Sequence, residues 1–167
     1  LARTLREPLA SALEAQGADA IFTKIEMPLV RVLASMERAG MYVDPARLAA
    51  QSDELVGQIQ ALEARIRELA GGEEFNLSSP MQLSRILFDK LGLPTAGLKK
   101  TQRGYYSTNA KVLEDLAKDH EIVRLILEFR EKTKIKSTYL DTLGPLRRHD
   151  GRVHTTYNQT ITATGRL

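Results

Sequence analysis

Cysteine is absent from the 167 residues, which excludes disulfides, thiol catalysis and thiolate-based zinc sites together. Tryptophan is absent as well and aromatics amount to only 5%, so the fold must be read from aliphatic residues. Those recur mostly at helical spacing. There is no apolar run near the ~18 residues that a membrane span requires. Leu1-Ala2-Arg3-Thr4-Leu5-Arg6 lacks the long apolar stretch of a signal peptide. A phosphate loop of the G-x-x-x-x-G-K type is missing, and three histidines give no His-rich metal spacing. These absences fit a cytoplasmic chain and argue against an independent hydrolase. Adjacent acids such as Glu73-Glu74 and Asp53-Glu54 read as solvated pairs. A chain that opens on Leu1 reads as a piece of a longer one.

What is present is an ordinary globular composition, 43% hydrophobic and 27% charged. It suffices for one domain, or one elongated subdomain with the start of another. The net charge of +3 is unevenly placed. Residues 1–95 carry 10 Lys/Arg against 13 Asp/Glu, and residues 96–167 carry 14 against 8. A basic half suggests a polyanionic partner, although an ordinary solvated surface accounts for the same split.

The spacing predicts a mainly α chain. A short helix over 5–16 stops at Gly17, and Ile25, Leu29, Val32, Leu33 and Met36 form one stripe that ends at Gly40. Asp44-Pro45 opens a long helix, because the carboxylate can accept backbone N–H groups and proline gives up no needed donor. Leu48, Leu55, Ile59, Leu62, Ile66 and Leu69 then mark the seam of an antiparallel pair, ended by Gly71-Gly72. At ~1.5 Å per residue this helix is about 38 Å long, which predicts an elongated helical hairpin. Ser79-Pro80 opens a short helix holding Leu83, Ile86, Leu87 and Leu91. Residues 95–107 form a polar, Lys-rich loop, and Thr108 caps a helix with Val112, Leu113 and Leu116. A helix over 121–139 turns Ile122, Ile126, Phe129 and Tyr139 inward, and Gly144-Pro145 breaks it. From Val153 to Ile161 the period changes to two, a strand preceded by an Asp150-Gly151 turn, expected as a small C-terminal β-hairpin.

Several side chains are candidates for binding a phosphate backbone. Arg130 and Lys134 share a helix stripe, and Lys132 with Lys136 forms a second pair half a turn away. By themselves these fit a solvated helix with Glu128 and Glu131 as partners. Asn76, Ser78 and Ser79 precede a helix start, where short polar side chains and free N–H groups suit a phosphate; simple capping by Ser79 is compatible with that. Lys99, Lys100, Thr101, Ser107 and Thr108 flank a loop and could track a backbone, or serve only solubility. His154 reads as a partly buried, hydrogen-bonded histidine.

Three segments together resemble the family A DNA polymerases, the bacterial DNA polymerase I type. They are Phe75-Asn76-Leu77-Ser78-Ser79-Pro80 with Gln82-Leu83 and Ile86-Leu87-Phe88; Phe129-Arg130 with Lys134, Lys136, Ser137, Thr138 and Tyr139; and Gly151-Arg152-Val153-His154-Thr155 through Thr162-Ala163-Thr164-Gly165-Arg166-Leu167. Upstream, Glu26-Met27-Pro28-Leu29, Met36-Glu37, Gly40 and Val43-Asp44 are similar to the opening of that family's thumb. The chain departs from the pattern at Tyr105-Tyr106 and at Phe129, where tyrosine is common.

The resemblance implies a thumb over 24–144, a truncated start of the palm over 145–167, and the tail of an exonuclease-like domain over 1–23. It implies that Arg130, Lys134, Lys136, Asn76, Ser78, Ser79, Lys99, Lys100, Thr101, Ser107 and Thr108 grip primer–template DNA. Arg166 is implied to reach the minor groove at the primer end, where purine N3 and pyrimidine O2 are acceptors common to all correct pairs. No catalytic or metal-binding residue is expected here. The parent enzyme would use two Mg ions on aspartates beyond residue 167, and its other partners would be the remaining palm, fingers and exonuclease-like domain. The expected setting is the bacterial nucleoid, and the fragment alone is expected to be inactive. From another class, a helical protein-interaction scaffold also suits the 48–69 seam.

Overall fold

The computed structural model describes residues 2–162 and 164–167, so Ala163 of the terminal motif lies outside the described residues. Contacts divide the chain into two compact units: residues up to Val43 together with Leu146–Leu167, and Asp44–Pro145. Residues 24–43, expected from sequence to share a subdomain with 44–144, group with the C-terminal stretch. Among the described residues no helix is long and apolar enough to cross a membrane.

The first unit holds α1 (Ala2–Ala15), α2 (Asp19–Ile21), a wide π-helical turn over Phe22–Glu26, and α3 (Met27–Ala39). Strand β1 (Met41–Tyr42) pairs antiparallel with β2 (Arg152–Val153), with Met41 opposite Val153 and Tyr42 opposite Arg152. The small antiparallel sheet is present, but its strands are distant in sequence and do not form a C-terminal hairpin. The Asp150-Gly151 turn does form: Gly151 N–H donates to Arg148 O at 2.9 Å, and Arg152 N–H to Asp150 Oδ1 at 3.0 Å. Past Val153 the expected strand is not continued. Instead the Glu37 carboxylate accepts the Tyr157 N–H, and Glu26 takes the Gln159 side chain. The expected α3 stripe is only partly inward. Leu33 is buried, whereas Ile25, Val32 and Met36 are exposed.

Gly40 ends α3 with φ of +63°, a region that favours glycine. A Cβ there would lie 2.8 Å from the His154 ring. That ring is held on both sides, with Nδ1 2.7 Å from Glu37 O and Nε2 3.0 Å from Asp150 Oδ2. His154 is thus the hydrogen-bonded, part-buried residue expected.

The second unit is a helical hairpin with a cap. Helix α4 (Pro45–Leu69) starts as the sequence predicts, with Asp44 Oδ1 accepting from Ala46 N at 2.9 Å and Arg47 N at 3.2 Å. Its partner is α7 (Glu121–Ile135), which runs through a π turn (Lys136–Leu140) into α8 (Asp141–Leu143). The pairing is antiparallel. Arg65 late in α4 meets Glu121 at 3.2 Å, and Gln58 in its middle meets Lys132 at 2.8 Å. Between the long helices in sequence lie α5 (Pro80–Ser84), which continues as a π turn (Arg85–Lys90), and α6 (Ala110–Leu116). The core sits at this end, where Ile66, Leu83, Ile86, Leu87, Leu113 and Ile126 are fully buried.

Two local expectations are corrected. Helix α6 is capped by Asn109, whose Oδ1 accepts from Val112 N at 3.0 Å, because the Thr108 side chain is engaged with Arg130. Tyr139 is 54% exposed. Ten residues past Phe129, an α-helix has already turned about 80° off the inward stripe, so Tyr139 falls on the flank and the π turn at Lys136–Leu140 does not bring it back.

Gly40→Ala should lower stability in urea unfolding by about 1–3 kcal/mol, since it combines positive-φ strain with a clash against a held ring. Gly57→Ala, on the open face of α4 with nothing within 4 Å, should raise it by up to ~1 kcal/mol. Reversed signs would contradict the assigned backbone. Glu73 accepts from Lys90 Nζ at 2.8 Å and from Arg85, and the Lys90 bond, then the Arg85 bond, holds its carboxyl below the usual carboxylate range. A lowered folded-state value contributes stability above the ordinary pKa of about 4.3 and loses it as pH falls through the lowered value. Glu73→Gln should therefore flatten the acid limb of the stability–pH curve and leave its alkaline limb unchanged.

Candidate nucleic-acid interface

Burial of Phe129, Ile126 and Val123 against the core fixes the rotation of α7. Residues one and five positions past Phe129 then fall beside the core-facing stripe, which places Arg130 and Lys134 along the edge of a groove. The groove, about 630 Å³, is lined by Ser78 and Pro80 from the α5 start, Thr101, Tyr105, Ser107, Thr108 and Asn109 from the loop before α6, and Phe129, Arg130, Thr133, Lys134 and Ser137 from α7 and the turn beyond. Six residues singled out from sequence thus meet on one surface of the second unit: Ser78, Thr101, Ser107, Thr108, Arg130 and Lys134.

Their states differ. Arg130 is partly buried, donating from Nη1 to Thr108 O at 2.5 Å and from Nη2 to Thr108 Oγ1 at 3.3 Å. Burial pulls its guanidinium below its usual value, yet arginine keeps its charge at neutral pH. Thr108 is 5% exposed, so its hydroxyl meets Arg130 rather than solvent. Lys134 is exposed. The Thr101 and Thr133 hydroxyls are buried without a hydrogen-bond partner among the described residues.

Asn76 and Ser79 build the floor beside the groove. Asn76 Oδ1 accepts from Ser78 N at 2.8 Å, its own N–H donates to Gln82 Oε1 at 2.7 Å, and Ser79 Oγ accepts from Gln82 N at 3.4 Å. The Lys-rich loop is a closed hairpin turn, in which Thr101 N donates to Tyr105 O at 2.8 Å and Lys100 bridges to Tyr106. Tyr106 fastens it to the core, edge-on to Phe88 at 5.3 Å, with its N–H on Ser84 Oγ at 3.0 Å. Lys100 Nζ sits 5.0 Å from the Tyr106 ring centre, and Lys99 is exposed; neither lines the groove.

Lys136 is turned to Asp141 at 2.7 Å and Lys132 to Glu128 at 3.4 Å, so the second cation pair is spent on internal partners. Arg166 is exposed in the other unit, where its carbonyl accepts from the Thr162 hydroxyl at 2.6 Å. Sequence reasoning missed Tyr105, Asn109, Thr133 and Ser137 as lining residues. Thr133 and Ser137 were findable, since they lie three and seven residues past Arg130 on the same stripe.

Residues 45–167 match the family described as DNA polymerase family A, and the chain belongs to that family. It is 50% identical over 164 residues to DNA polymerase I of Geobacillus stearothermophilus, covering 98% of this chain and 18% of that protein. It is 51% identical over 148 residues to the thermostable DNA polymerase I of Thermus aquaticus, covering 88% of this chain and 18% of that protein. Among solved structures, the POL domain of Pol1 from M. smegmatis, in complex with DNA primer-template and dNTP, matches with a TM-score of 0.81 and 38% identity over 95% of this chain and 28% of that one. The chain therefore spans 18% of the length of these curated relatives.

Arg130→Ala should leave the Thr108 carbonyl unpaired inside the groove wall and cost about 1–3 kcal/mol in denaturant unfolding. Lys134→Ala, at an exposed position, should stay within about 0.5 kcal/mol of the parent. Equal effects from the two would show that the Arg130–Thr108 tie is not structural.

Proposed function

We propose that this chain is the duplex-gripping part of a template-directed DNA polymerase, with Asp44–Pro145 acting as the thumb and Leu146–Leu167 opening the palm. The observation that carries the proposal is the convergence of hydroxyls and cations from three separate stretches, Ser78, Thr101–Thr108 and Arg130–Lys134, on one groove. Hydroxyl and N–H donors orient a phosphate, and cations supply sequence-independent attraction. Membership in family A, and a structural neighbour described with primer-template and dNTP, support the same reading.

Within that groove Lys134 is the freely presented charge. Arg130 adds a partly desolvated charge while bracing the Thr108 loop, and Ser78, Ser107 and Ser137 offer neutral hydroxyls. Asn76, Ser79, Lys99 and Lys100 border this surface, Lys136 contributes to it only on leaving Asp141, and Arg166 serves the primer terminus. Polymerisation in this family is assigned two Mg ions, which polarise the primer hydroxyl and stabilise the departing pyrophosphate when bound. Among the described residues no three His, Asp or Glu side chains are grouped to hold a metal ion. This chain's part is to bind and orient duplex. The same setting makes the bacterial nucleoid its place of work, with the remaining palm, fingers and exonuclease-like domain as intramolecular partners.

Salt separates this reading from a helical scaffold, because phosphate contacts release counterions and an apolar interface does not. Lys134→Ala should weaken duplex binding evenly across sequences and shallow the plot of log K against log salt by about one. Arg130→Ala added to it should shallow the plot further. A slope unchanged in the double variant would remove the groove from the DNA interface.

A further inference from the structure

Helix α3 and the turn before it carry two glutamates whose partners lie more than a hundred residues away. The Glu37 carboxylate accepts the Tyr157 N–H at 2.7 Å. The Glu26 carboxylate accepts from Gln159 Nε2 at 2.8 Å, with the Glu26 carbonyl 3.2 Å from the same nitrogen. Glu26, Leu29, Leu33, Glu37 and Gly40 repeat at intervals of three and four, so they share one face. On the other side, Val153, His154, Tyr157 and Gln159 are the partly covered residues of a stretch whose Thr155, Thr156, Asn158 and Thr160 are exposed.

Residues 154–161 have no ladder partner among the described residues, so these bonds set where the segment lies. A charged acceptor makes each one stronger than a neutral bond. Past Gln159, Asn158 Oδ1 accepts from Thr160 N at 2.9 Å, and the Thr162 hydroxyl donates to Arg166 O at 2.6 Å.

We infer that Glu26 and Glu37 are positioning residues that hold the 154–161 segment along α3 and thereby place Arg166 for its contact with the primer end. The inference rests on the minor-groove reading of Arg166. The α3 face acts as a rail, with Glu37 setting the register and Glu26 the far anchor. Neither glutamate touches DNA or the reacting atoms.

The test uses the polymerase that contains this chain. Single-turnover extension is measured from matched and mismatched primer ends, beside duplex affinity. Glu37→Ala should lower the extension rate on the order of 10-fold at unchanged duplex affinity, because a small misplacement at a distance reaches the reacting geometry. Glu37→Gln keeps an acceptor oxygen and should restore most of the rate. The combination Glu37→Ala with Arg166→Ala should be no slower than Arg166→Ala alone, as expected of residues acting through one another. Should Glu37→Ala fail to fold, Gln159→Met, which keeps side-chain length and removes the donor, gives the same readout.

A parental rate in Glu37→Ala or Gln159→Met, or losses that add to those of Arg166→Ala, overturns the rail while leaving the Arg166 reading intact. A parental rate in Arg166→Ala overturns the Arg166 reading, and the positioning role falls with it.

Discussion

The antiparallel contact between α4 and α7 is the constraint on which the second unit depends. Ile66 and Ala70 at the end of α4 and Val123, Ile126 and Phe129 on α7 are buried in one cluster with the α5 segment. Once those apolar side chains are inside, helical geometry leaves no choice about the rest of α7. Arg130 must lie against the Thr108 loop, and Lys134 must stand a turn further along. The groove is thus a by-product of core packing, and its polar wall inherits the rigidity of the hydrophobic one.

Charge sums describe this surface poorly. The basic C-terminal half suggested a polyanionic partner, yet Lys132 and Lys136 are turned to Glu128 and Asp141, and Arg130 is braced against a carbonyl. Both lysines are partly covered, and the effect of these pairs is selective: among the described residues they leave Lys134 as the exposed cation lining the groove. The groove gains hydroxyls in place of charge, from Ser78, Ser107 and Ser137.

Much of the helical frame was legible in the sequence for reasons that are local. Asp44-Pro45 and Ser79-Pro80 cap where their chemistry says they must, and Leu55, Ile59, Leu62 and Ile66 alternate as a packed seam does. What could not be read depends on distant parts of the chain. No local pattern announces that Arg152-Val153 pairs with Met41-Tyr42, or that Glu37 takes the Tyr157 N–H. Period-two β-branching from Val153 onward predicted a strand to Ile161, but only Arg152–Val153 finds a partner strand, and no local pattern says that a helix face would receive the rest. Thr108 and Asn109 are both good caps, and only the position of Arg130 decides between them. Tyr105 and Tyr106, conspicuous as a pair, take separate tasks, one lining the groove and one anchoring the loop.

The wide turn at Lys136–Leu140 separates the effect of residue number from that of residue identity. A π turn holds one residue more than an α turn, so a single deletion inside it is absorbed when the turn tightens to α-helical winding, and α8 keeps its direction. The same deletion earlier in α7, where no residue is spare, would rotate every later position of the helix by about 100°. Substitutions and changes of length are therefore different kinds of event. The first alters one contact. The second is harmless only where the helix already carries slack.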